Sequence, residues 1–109
     1  MKLKIPKTYK LGATKCTVEL VDKIENDEKI IMGDWDCEVN KIRLAIKSSG
    51  GTAVSDDRLG HTYCHELVHS ILDSMGHKLS HDEGFVDAFG RYLHQYLVTQ
   101  SGVLRVLDD

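Results

Sequence analysis

The first half of the chain alternates between apolar and polar positions, which is the pattern of half-buried β-strands. Residues 15–22 (KCTVELVD) predict one strand, and residues 30–47 predict a β-hairpin whose turn lies near residues 38–40. The polar stretch 23–29 (KIENDEK) predicts a connection between them. The apolar side chains expected on one face of each strand are Cys16, Val18, Leu20, Ile42, Leu44 and Ile46.

The second half of the chain changes to the spacing of amphipathic helices. Residues 57–75 predict a first helix, and Gly76 follows where a helix C-terminus favours glycine. The loop before it, residues 48–58, contains Ser55 and Asp56, either of which is placed to cap this helix. The apolar side chains of the helix are Leu67, Val68, Ile71, Leu72 and Met75.

A second amphipathic helix is predicted over residues 82–98. Its apolar side consists of Phe85, Val86, Phe89, Tyr92, Leu93, Tyr96 and Leu97. The last residues, 101–109, fit either a short strand or a frayed end. A small antiparallel β-sheet followed by two packed helices is an α+β arrangement, and a chain of 109 residues is long enough for one such domain, spanning residues 1–109.

Composition narrows the classes of function. The net charge of −3 provides no positive electrostatic potential for binding nucleic acid or anionic lipid. No apolar run is long enough to span a membrane, and the N-terminus lacks the apolar core of a signal peptide. Cys16, Cys37 and Cys64 are odd in number and show no paired spacing, which predicts reduced, mostly buried thiols. We therefore expect a cytoplasmic protein that has neither a nucleic-acid nor a membrane partner.

The sequence HELVH, residues 65–69, matches the HExxH pattern and lies on the first predicted helix. His65 and His69 are one turn apart, about 40° from each other around the axis, so both Nε2 atoms can approach one ion at the ~2.0–2.1 Å that zinc requires. Glu66 points about 100° away from His65. It is therefore poorly placed to bind the same ion but well placed to take a proton from a water on it.

Two histidines do not complete a catalytic zinc site, which takes three protein ligands and keeps one position for water. On the second helix, Glu83, Asp87 and His94 form a polar stripe beside the apolar side. Glu83 is the preferred third ligand, because its side chain is longer and it lies early in its helix. Asp87 would then accept a hydrogen bond from a ligand imidazole and fix its tautomer. His81, and after it Asp87, are the alternatives to Glu83.

Two local patterns compete with this assignment. Ser80 and Glu83 form the S-x-x-E pattern of a capping box, in which the Glu83 carboxylate would fold back onto its own helix. His61 extends the histidine stripe by one turn but lies ~12 Å from His69 along the axis, so the three histidines cannot share one ion. The rival pair of His61 and His65 lacks a glutamate in the right place between them.

The stretch HELVHSILDSMG (65–76), followed by LSHDEGFVDAFGRYLHQYL (79–97), resembles the minimal zinc metallopeptidase domains of the ImmA/IrrE kind. It is most similar to the short metallopeptidase-like proteins encoded by bacteriophages and prophages. KIPKTYKLG (4–12) and MGDWDCEVNKIRLAI (32–46) also match, so the resemblance covers most of the chain. It implies a minimal zincin-like (gluzincin) fold, zinc as the cofactor, and a phage or mobile-element origin.

By this resemblance His65, His69 and Glu83 are the zinc ligands, and Glu66 is the catalytic glutamate. The chain departs from larger gluzincins such as thermolysin, in which the second histidine and the glutamate ligand are more widely separated; here thirteen residues intervene. HDEGF (81–85) is also similar to SprT-like proteases, whose third ligand is a histidine four residues before a phenylalanine. That pattern keeps His81 as an alternative ligand.

The leading hypothesis is a zinc metallopeptidase that hydrolyses a peptide bond of a protein or peptide substrate, with Glu66 as general base. We expect strand 41–47 to present a free edge that holds an extended substrate by main-chain pairing. No electrophilic helper stands out, since packing or surface exposure also explains each of the candidates Tyr63, Arg91 and His94.

Two other functions are compatible with the sequence. The first is a non-catalytic zinc-binding protein that docks onto a phage or host regulator, which needs the ligands but not Glu66. The second is an interaction module without metal, which uses its apolar helix surfaces. Metal content distinguishes the module from the other two, and a Glu66→Gln variant that retains zinc distinguishes the peptidase from the zinc-binding protein.

Overall fold

The computed structural model describes residues 3–27 and 29–100, so the predicted tail at 101–109 lies outside the described residues. Within them, six strands come first and two long helices follow, with a short 3₁₀ helix between the helices. The strands are β1 (Thr8–Leu11), β2 (Thr14–Val21), β3 (Ile24–Asn26), β4 (Lys29–Ile31), β5 (Gly33–Asp36) and β6 (Lys41–Ala45). The helices are α1 (Asp56–Ser74), the 3₁₀ helix (Lys78–His81) and α2 (Glu83–Thr99).

The main sheet is mixed, which corrects the prediction of an antiparallel one. Its strand order is β1-β2-β6-β5, with antiparallel pairs at both ends and a parallel pair, β2 with β6, in the middle. A parallel pair needs a long crossover, and residues 22–40 provide it. The α+β prediction is confirmed at the level of a small sheet followed by two packed helices.

Residues 23–29 are not the plain connection that their polarity predicted. They contain most of a second, two-stranded sheet in which β3 and β4 pair antiparallel. Asp27 forms the turn with a φ of 49°, a conformation that aspartate tolerates better than most residues. Ile24 is 1% exposed, so one buried side chain among polar neighbours fixes this hairpin. Strands of three residues are too short to show an alternating pattern.

The predicted hairpin over residues 30–47 is confirmed, with β5 and β6 paired antiparallel and Asn40 at a φ of 53° in the turn. Cys16, Ile42 and Leu44 are fully buried, as expected. Leu20 is 55% exposed, so its expected place in the core is wrong. The reason is that α1 packs over β5 and β6, whereas Leu20 of β2 borders an open groove beside the start of α1, at Asp56 and Leu59.

Both helices begin and end within one residue of their predicted bounds. Ser55 caps α1 by accepting a hydrogen bond from the Arg58 amide at 3.2 Å, and Gly76 follows the helix with a φ of 66°. The capping box predicted for α2 does not form. Asp82 caps that helix instead, accepting from the Phe85 amide at 3.0 Å, because Ser80 already belongs to the 3₁₀ helix.

The two helices approach each other most closely at Gly90. A methyl group there would lie 3.0 Å from Cα and 3.1 Å from the backbone nitrogen of His65, so a glycine permits the contact. Val86 is fully buried beside it. The predicted apolar side of α2 is too wide, since Phe89, Tyr92 and Tyr96 are 52%, 73% and 60% exposed. One neighbouring helix covers only the side of α2 that contains Val86 and Gly90.

The cysteine prediction holds for two of the three thiols. Cys16 and Cys64 are buried, and burial raises the pKa of the Cys64 thiol to about 11. Cys37 is exposed, in the β5–β6 turn, so two of the three thiols are buried and the expectation of mostly buried thiols is met. Across the described residues, we find no helix with the length and apolar character that crossing a bilayer requires.

Candidate metal centre

His65, His69 and Glu83 come together between the two helices. One carboxylate oxygen of Glu83 lies 3.2 Å from Nε2 of His65, and the other lies 2.8 Å from Nε2 of His69. One ligand atom from each of the three residues falls within 4.8 Å of the others. These are the residues that the motif and the second helix predicted as a ligand set.

The local fold explains how Glu83 reaches the histidines. Helix α1 presents His65 and His69 one turn apart on one side. The chain then reverses through Gly76 and the 3₁₀ helix, and Glu83 is the first residue of α2. Because Asp82 caps α2, the carboxylate of Glu83 is not used as a cap and points across to α1. The capping alternative for Glu83 is therefore wrong.

The orientation of the His69 ring is set by the backbone of the 3₁₀ helix. Its Nδ1 lies 2.7 Å from the carbonyl oxygen of Ser80, which can only accept, so Nδ1 carries the hydrogen. Ser80, which is buried, returns a hydrogen bond from its hydroxyl to the carbonyl of His69 at 3.3 Å. In the neutral imidazole this leaves a lone pair on Nε2, directed at the Glu83 carboxylate.

This geometry tests whether a metal ion fits the three residues. A lone pair on His69 Nε2 and a carboxylate oxygen at 2.8 Å are both acceptors, so a proton or a metal cation must lie between them. His65 has a carboxylate near each ring nitrogen, Glu83 at Nε2 and Asp87 at Nδ1, 3.5 Å away, and a neutral imidazole can donate a hydrogen to only one of them. Two imidazoles and one carboxylate suit zinc in kind and number.

Asp87 lies 3.5 Å from Nδ1 of His65, close to a ligand imidazole as predicted, although the structure records no hydrogen bond between the two. Its second carboxylate oxygen accepts a hydrogen bond from Arg91 at 3.0 Å, one turn further along α2. The carboxylate is thereby held between a guanidinium group and the imidazole. Arg91 is largely exposed, is engaged in this ion pair and does not line the cavity, so it is not placed as an electrophilic helper.

Glu66 lines the same cavity as the three candidate ligands but is not one of them. The residue is only 8% exposed, and none of the described residues forms a hydrogen bond to its carboxylate that the structure records. Burial, together with the nearby charges of Glu83 and Asp34, raises its pKa to about 8. A carboxylate with so little solvation is a strong proton acceptor.

The cavity has a volume of about 470 Å³ and is bounded on one side by β5. This strand is at the edge of the sheet, whereas β6 lies between β2 and β5. The prediction that strand 41–47 offers the free edge is therefore wrong, and β5 takes that place. Gly33 allows β5 to lie close to α1, since a methyl group there would be 2.6 Å from Cγ2 of Thr62.

The remaining candidates lie outside the group of three candidate ligands. His81 lines the cavity and is exposed, but it is not among the three residues whose ligand atoms meet. Tyr63 is buried in the core, and His94 is buried against His61. Neither of them lines the cavity, so neither is placed as an electrophilic helper.

Three residues of this site were not predicted from the sequence. Trp35 and Asp73 line the cavity and are joined by a hydrogen bond from the indole Nε1 to a carboxylate oxygen at 3.2 Å. Ser80 holds His69, as described above. Asp73 could have been predicted from the sequence, because it continues the four-residue spacing of His65 and His69. The other two depend on contacts between distant segments.

No protein-family model, curated protein or solved structure matches this chain. The resemblance to ImmA/IrrE-like domains therefore stays a prediction. What the structure itself offers is a group of two imidazoles and a carboxylate, a second buried carboxylate beside it, and an adjoining cavity with a strand edge.

Proposed function

We propose that this protein is a zinc-dependent metallopeptidase with a minimal zincin-like fold, in which His65, His69 and Glu83 hold the metal. The observation that carries the proposal is the 2.8 Å approach of two acceptors, His69 Nε2 and the Glu83 carboxylate. A bound zinc ion, with Nδ1 of His69 hydrogen-bonded to Ser80, would satisfy both at once. The separate carboxylate of Glu66 favours a hydrolytic site over a purely structural one.

Zinc in such a site would polarise the scissile carbonyl and lower the pKa of a water molecule. Glu66 acts as the general base and then as the general acid, taking a proton from the water and passing it to the leaving amine. Its position supports this role, because its carboxylate faces the cavity and has no hydrogen-bond donor from the described residues to satisfy it. Its burial also keeps bulk solvent from exchanging the proton.

The surrounding residues position the two imidazoles. The Ser80 carbonyl fixes the tautomer of His69, and the Asp87 carboxylate lies on the outer nitrogen of His65. Such partners orient a ligand and raise its basicity. Arg91 holds Asp87 in turn, so three residues of the second half of the chain, Ser80, Asp87 and Arg91, support the two histidines.

The substrate class follows from the edge of the sheet. No strand among residues 3–27 and 29–100 pairs with the outer side of β5, since β6 occupies the other side, so its main-chain groups there could pair with an extended polypeptide. Gly33, Asp34 and Trp35 of this strand border the cavity that contains Glu66. A peptide added along β5 would therefore pass over the zinc ligands.

The proposal is tested by comparing zinc content and peptide hydrolysis in the wild type and in Glu66→Gln. We expect one zinc per chain in both proteins, and a loss of roughly 10²- to 10⁴-fold in hydrolysis for the variant. His81→Ala is the matched control, since His81 lines the cavity without belonging to the ligand group, and it should keep both properties. Hydrolysis that survives Glu66→Gln unchanged would exclude this mechanism.

The non-catalytic zinc-binding protein is the second candidate function. The observation that favours it is the row of exposed aromatic side chains Phe89, Tyr92 and Tyr96 on α2, a surface suited to docking on another protein. The same experiment distinguishes this function from the peptidase. Zinc present in the wild type with no hydrolysis of any peptide would support the non-catalytic zinc-binding protein. A wild type without zinc would leave the metal-free interaction module.

A further inference from the structure

A second feature of the cavity lies one helical turn beyond the candidate ligands. Asp73 follows His69 by four residues on α1, and Trp35 of β5 lies opposite and donates its indole hydrogen to a carboxylate oxygen of Asp73 at 3.2 Å. Both residues line the cavity that contains Glu66, and both are half-buried. They form one wall of the cavity at the end away from His65.

Charge distinguishes Asp73 from the other carboxylates of the cavity. Four carboxylates line it, and none of the described residues lining it is a lysine or an arginine. Three of the four already have an assigned partner or role. Asp34 forms a two-point ion pair with Arg43, Glu83 faces the two imidazoles, and Glu66 is buried.

Asp73 is the remaining carboxylate, and its partner is the uncharged indole of Trp35. Its negative charge is therefore uncompensated within the described part of the protein. The cavity also continues past it. A second cavity of about 270 Å³ shares Trp35, Cys37 and Asp73 with the first and extends toward the neutral residues Thr14 and Asn40. Neither cavity is lined by a lysine or an arginine among the described residues, so a side chain bound at Asp73 would meet no positive group in their linings.

From this placement we infer that Asp73 and Trp35 form a specificity subsite for a cationic side chain, arginine in preference to lysine, of the peptide substrate. The inference rests on the proposed peptidase function. The carboxylate supplies the opposite charge, and the indole supplies a flat π-face against which a guanidinium group stacks. Arginine is preferred because its planar fork can bind the carboxylate and lie against the ring at the same time.

The distance between His69 and Asp73 along α1 limits which residue of the substrate can place its side chain in the subsite. One helical turn from His69 to Asp73 corresponds to about 6 Å of rise, and an extended peptide advances about 3.3 Å per residue. The subsite therefore receives a side chain within about two residues of the scissile bond. Asp73 acts by binding this side chain and takes no part in the proton transfer.

The first test uses peptides of one common sequence in which arginine replaces glutamine at each position in turn. For the zinc-loaded wild type we expect kcat/KM to rise about tenfold or more when arginine occupies one position close to the cleaved bond. In Asp73→Asn this preference should disappear, while cleavage of the all-glutamine peptide is kept. Asparagine can still accept the indole hydrogen bond, so the link between β5 and α1 is preserved.

A purely structural role of Asp73 would give a different result, since Asp73→Asn would then lower the cleavage of arginine and glutamine peptides equally or leave the preference intact. Either outcome would overturn the subsite. Asp34→Asn is the matched control, because it removes a carboxylate of the same cavity that is already paired with Arg43. It should leave the arginine preference in place.

Binding provides a readout that does not depend on catalysis. Trp35 is the only tryptophan of the chain, so its fluorescence reports directly on the subsite. In zinc-loaded Glu66→Gln, the arginine peptide should change Trp35 fluorescence with about tenfold tighter binding than the glutamine peptide, and Asp73→Asn should remove the difference. Equal affinities would refute the subsite alone. Failure of the wild type to cleave any peptide would refute the proposed function, and the fluorescence measurement would still decide the subsite.

Discussion

Two pairs of histidines lie at different levels of the same pair of helices, and they have different surroundings. At one level, the Nε2 atoms of His65 and His69 face the two oxygens of the Glu83 carboxylate at 3.2 and 2.8 Å. At the other level, the rings of His61 and His94 lie 6.1 Å apart. The Nε2 atoms of His61 and His94 are buried and form no hydrogen bond with any of the described residues.

The difference arises from the carboxylates and not from the histidines. The closest carboxylate oxygens recorded for the second pair are those of Asp87, 3.9 Å from His61, and Asp57, 4.0 Å from His94. Both are too distant for a hydrogen bond. His61 and His65 have the same four-residue spacing as His65 and His69, yet no third residue of the described part of the chain forms a ligand group with them. Helical spacing therefore brings histidines together, and a carboxylate from the other helix turns one pair into a candidate ligand set.

The second pair has a packing explanation. A methyl group at Gly60 would lie 2.8 Å from Nε2 and 3.2 Å from Cδ2 of His94, so the absence of a side chain at Gly60 makes room for this imidazole. His94 then fills space between α1 and α2 in the way that a buried apolar side chain would. Its ring is part of the helix packing and is not oriented toward a ligand.

Removing the carboxylate that distinguishes the two pairs of histidines should have the largest effect. Glu83→Ala should weaken zinc binding by more than the roughly 10- to 100-fold that is usual when a residue that merely orients a ligand is lost. The measurement is competition with a chromophoric chelator, with His81→Ala as the control that should bind zinc as the wild type does. Loss of zinc in His81→Ala with retention in Glu83→Ala would show that the third ligand has been assigned wrongly.

The parts of the fold that follow from local spacing were predictable from the sequence. The helix bounds were predicted to within one residue because a 3.6-residue period, a capping Ser55 and a terminal Gly76 all lie within the segments concerned. The approach of His65 to His69 is equally local, since it needs only that the helix forms. The polar side of α2, which contains Glu83, could also be predicted from the sequence.

The predictions that were wrong concern contacts between distant segments of the chain. Whether β2 pairs parallel with β6 depends on the path of residues 22–40, which no local period encodes. The edge strand was assigned to the wrong member of the hairpin for the same reason. Within the site, Trp35 and Ser80 could not be found, because each acts on a residue at least eleven positions away, Asp73 and His69 respectively.

The close approach of the two helices at the level of His65 can be tested by a substitution at Gly90. Gly90→Ala places a methyl group 3.0 Å from backbone atoms of His65, which cannot move aside like a side chain. We expect a loss of about 1–3 kcal/mol in the free energy of unfolding, measured by denaturant titration, and weaker zinc binding, since Glu83 moves away from His65 with the helix.

Gly84→Ala is the matched control for this change. Gly84 lies in the same helix, but a methyl group there meets only the Asp82 side chain, at 3.4 Å. Alanine is favoured over glycine in a helix by roughly 1 kcal/mol, so this variant should be as stable as the wild type or slightly more stable. Equal behaviour of the two variants would contradict the close approach at Gly90.

The smallest expected effect concerns His61 and His94, the pair that has no carboxylate within hydrogen-bond distance. Burial lowers the pKa of His61, against the opposing charge of Asp87 and with smaller contributions from Arg91, His94 and His65. The folded chain then binds this proton less readily than the unfolded chain, whose histidines titrate near 6.5. Stability should therefore fall as the pH decreases through about 6.5, and the contribution of His61 should be restored at higher pH.

His61→Leu isolates this contribution in the metal-free protein, where the pH dependence of the other histidines is common to both chains. The difference in free energy of unfolding between variant and wild type should shift in favour of the variant as the pH falls from 7.5 to 5, with an effect smaller than that of Gly90→Ala. A shift in favour of the wild type would mean that the attraction of Asp87 outweighs burial at His61. The two levels of histidines would then differ in the strength of their carboxylate partners and not in the presence of one.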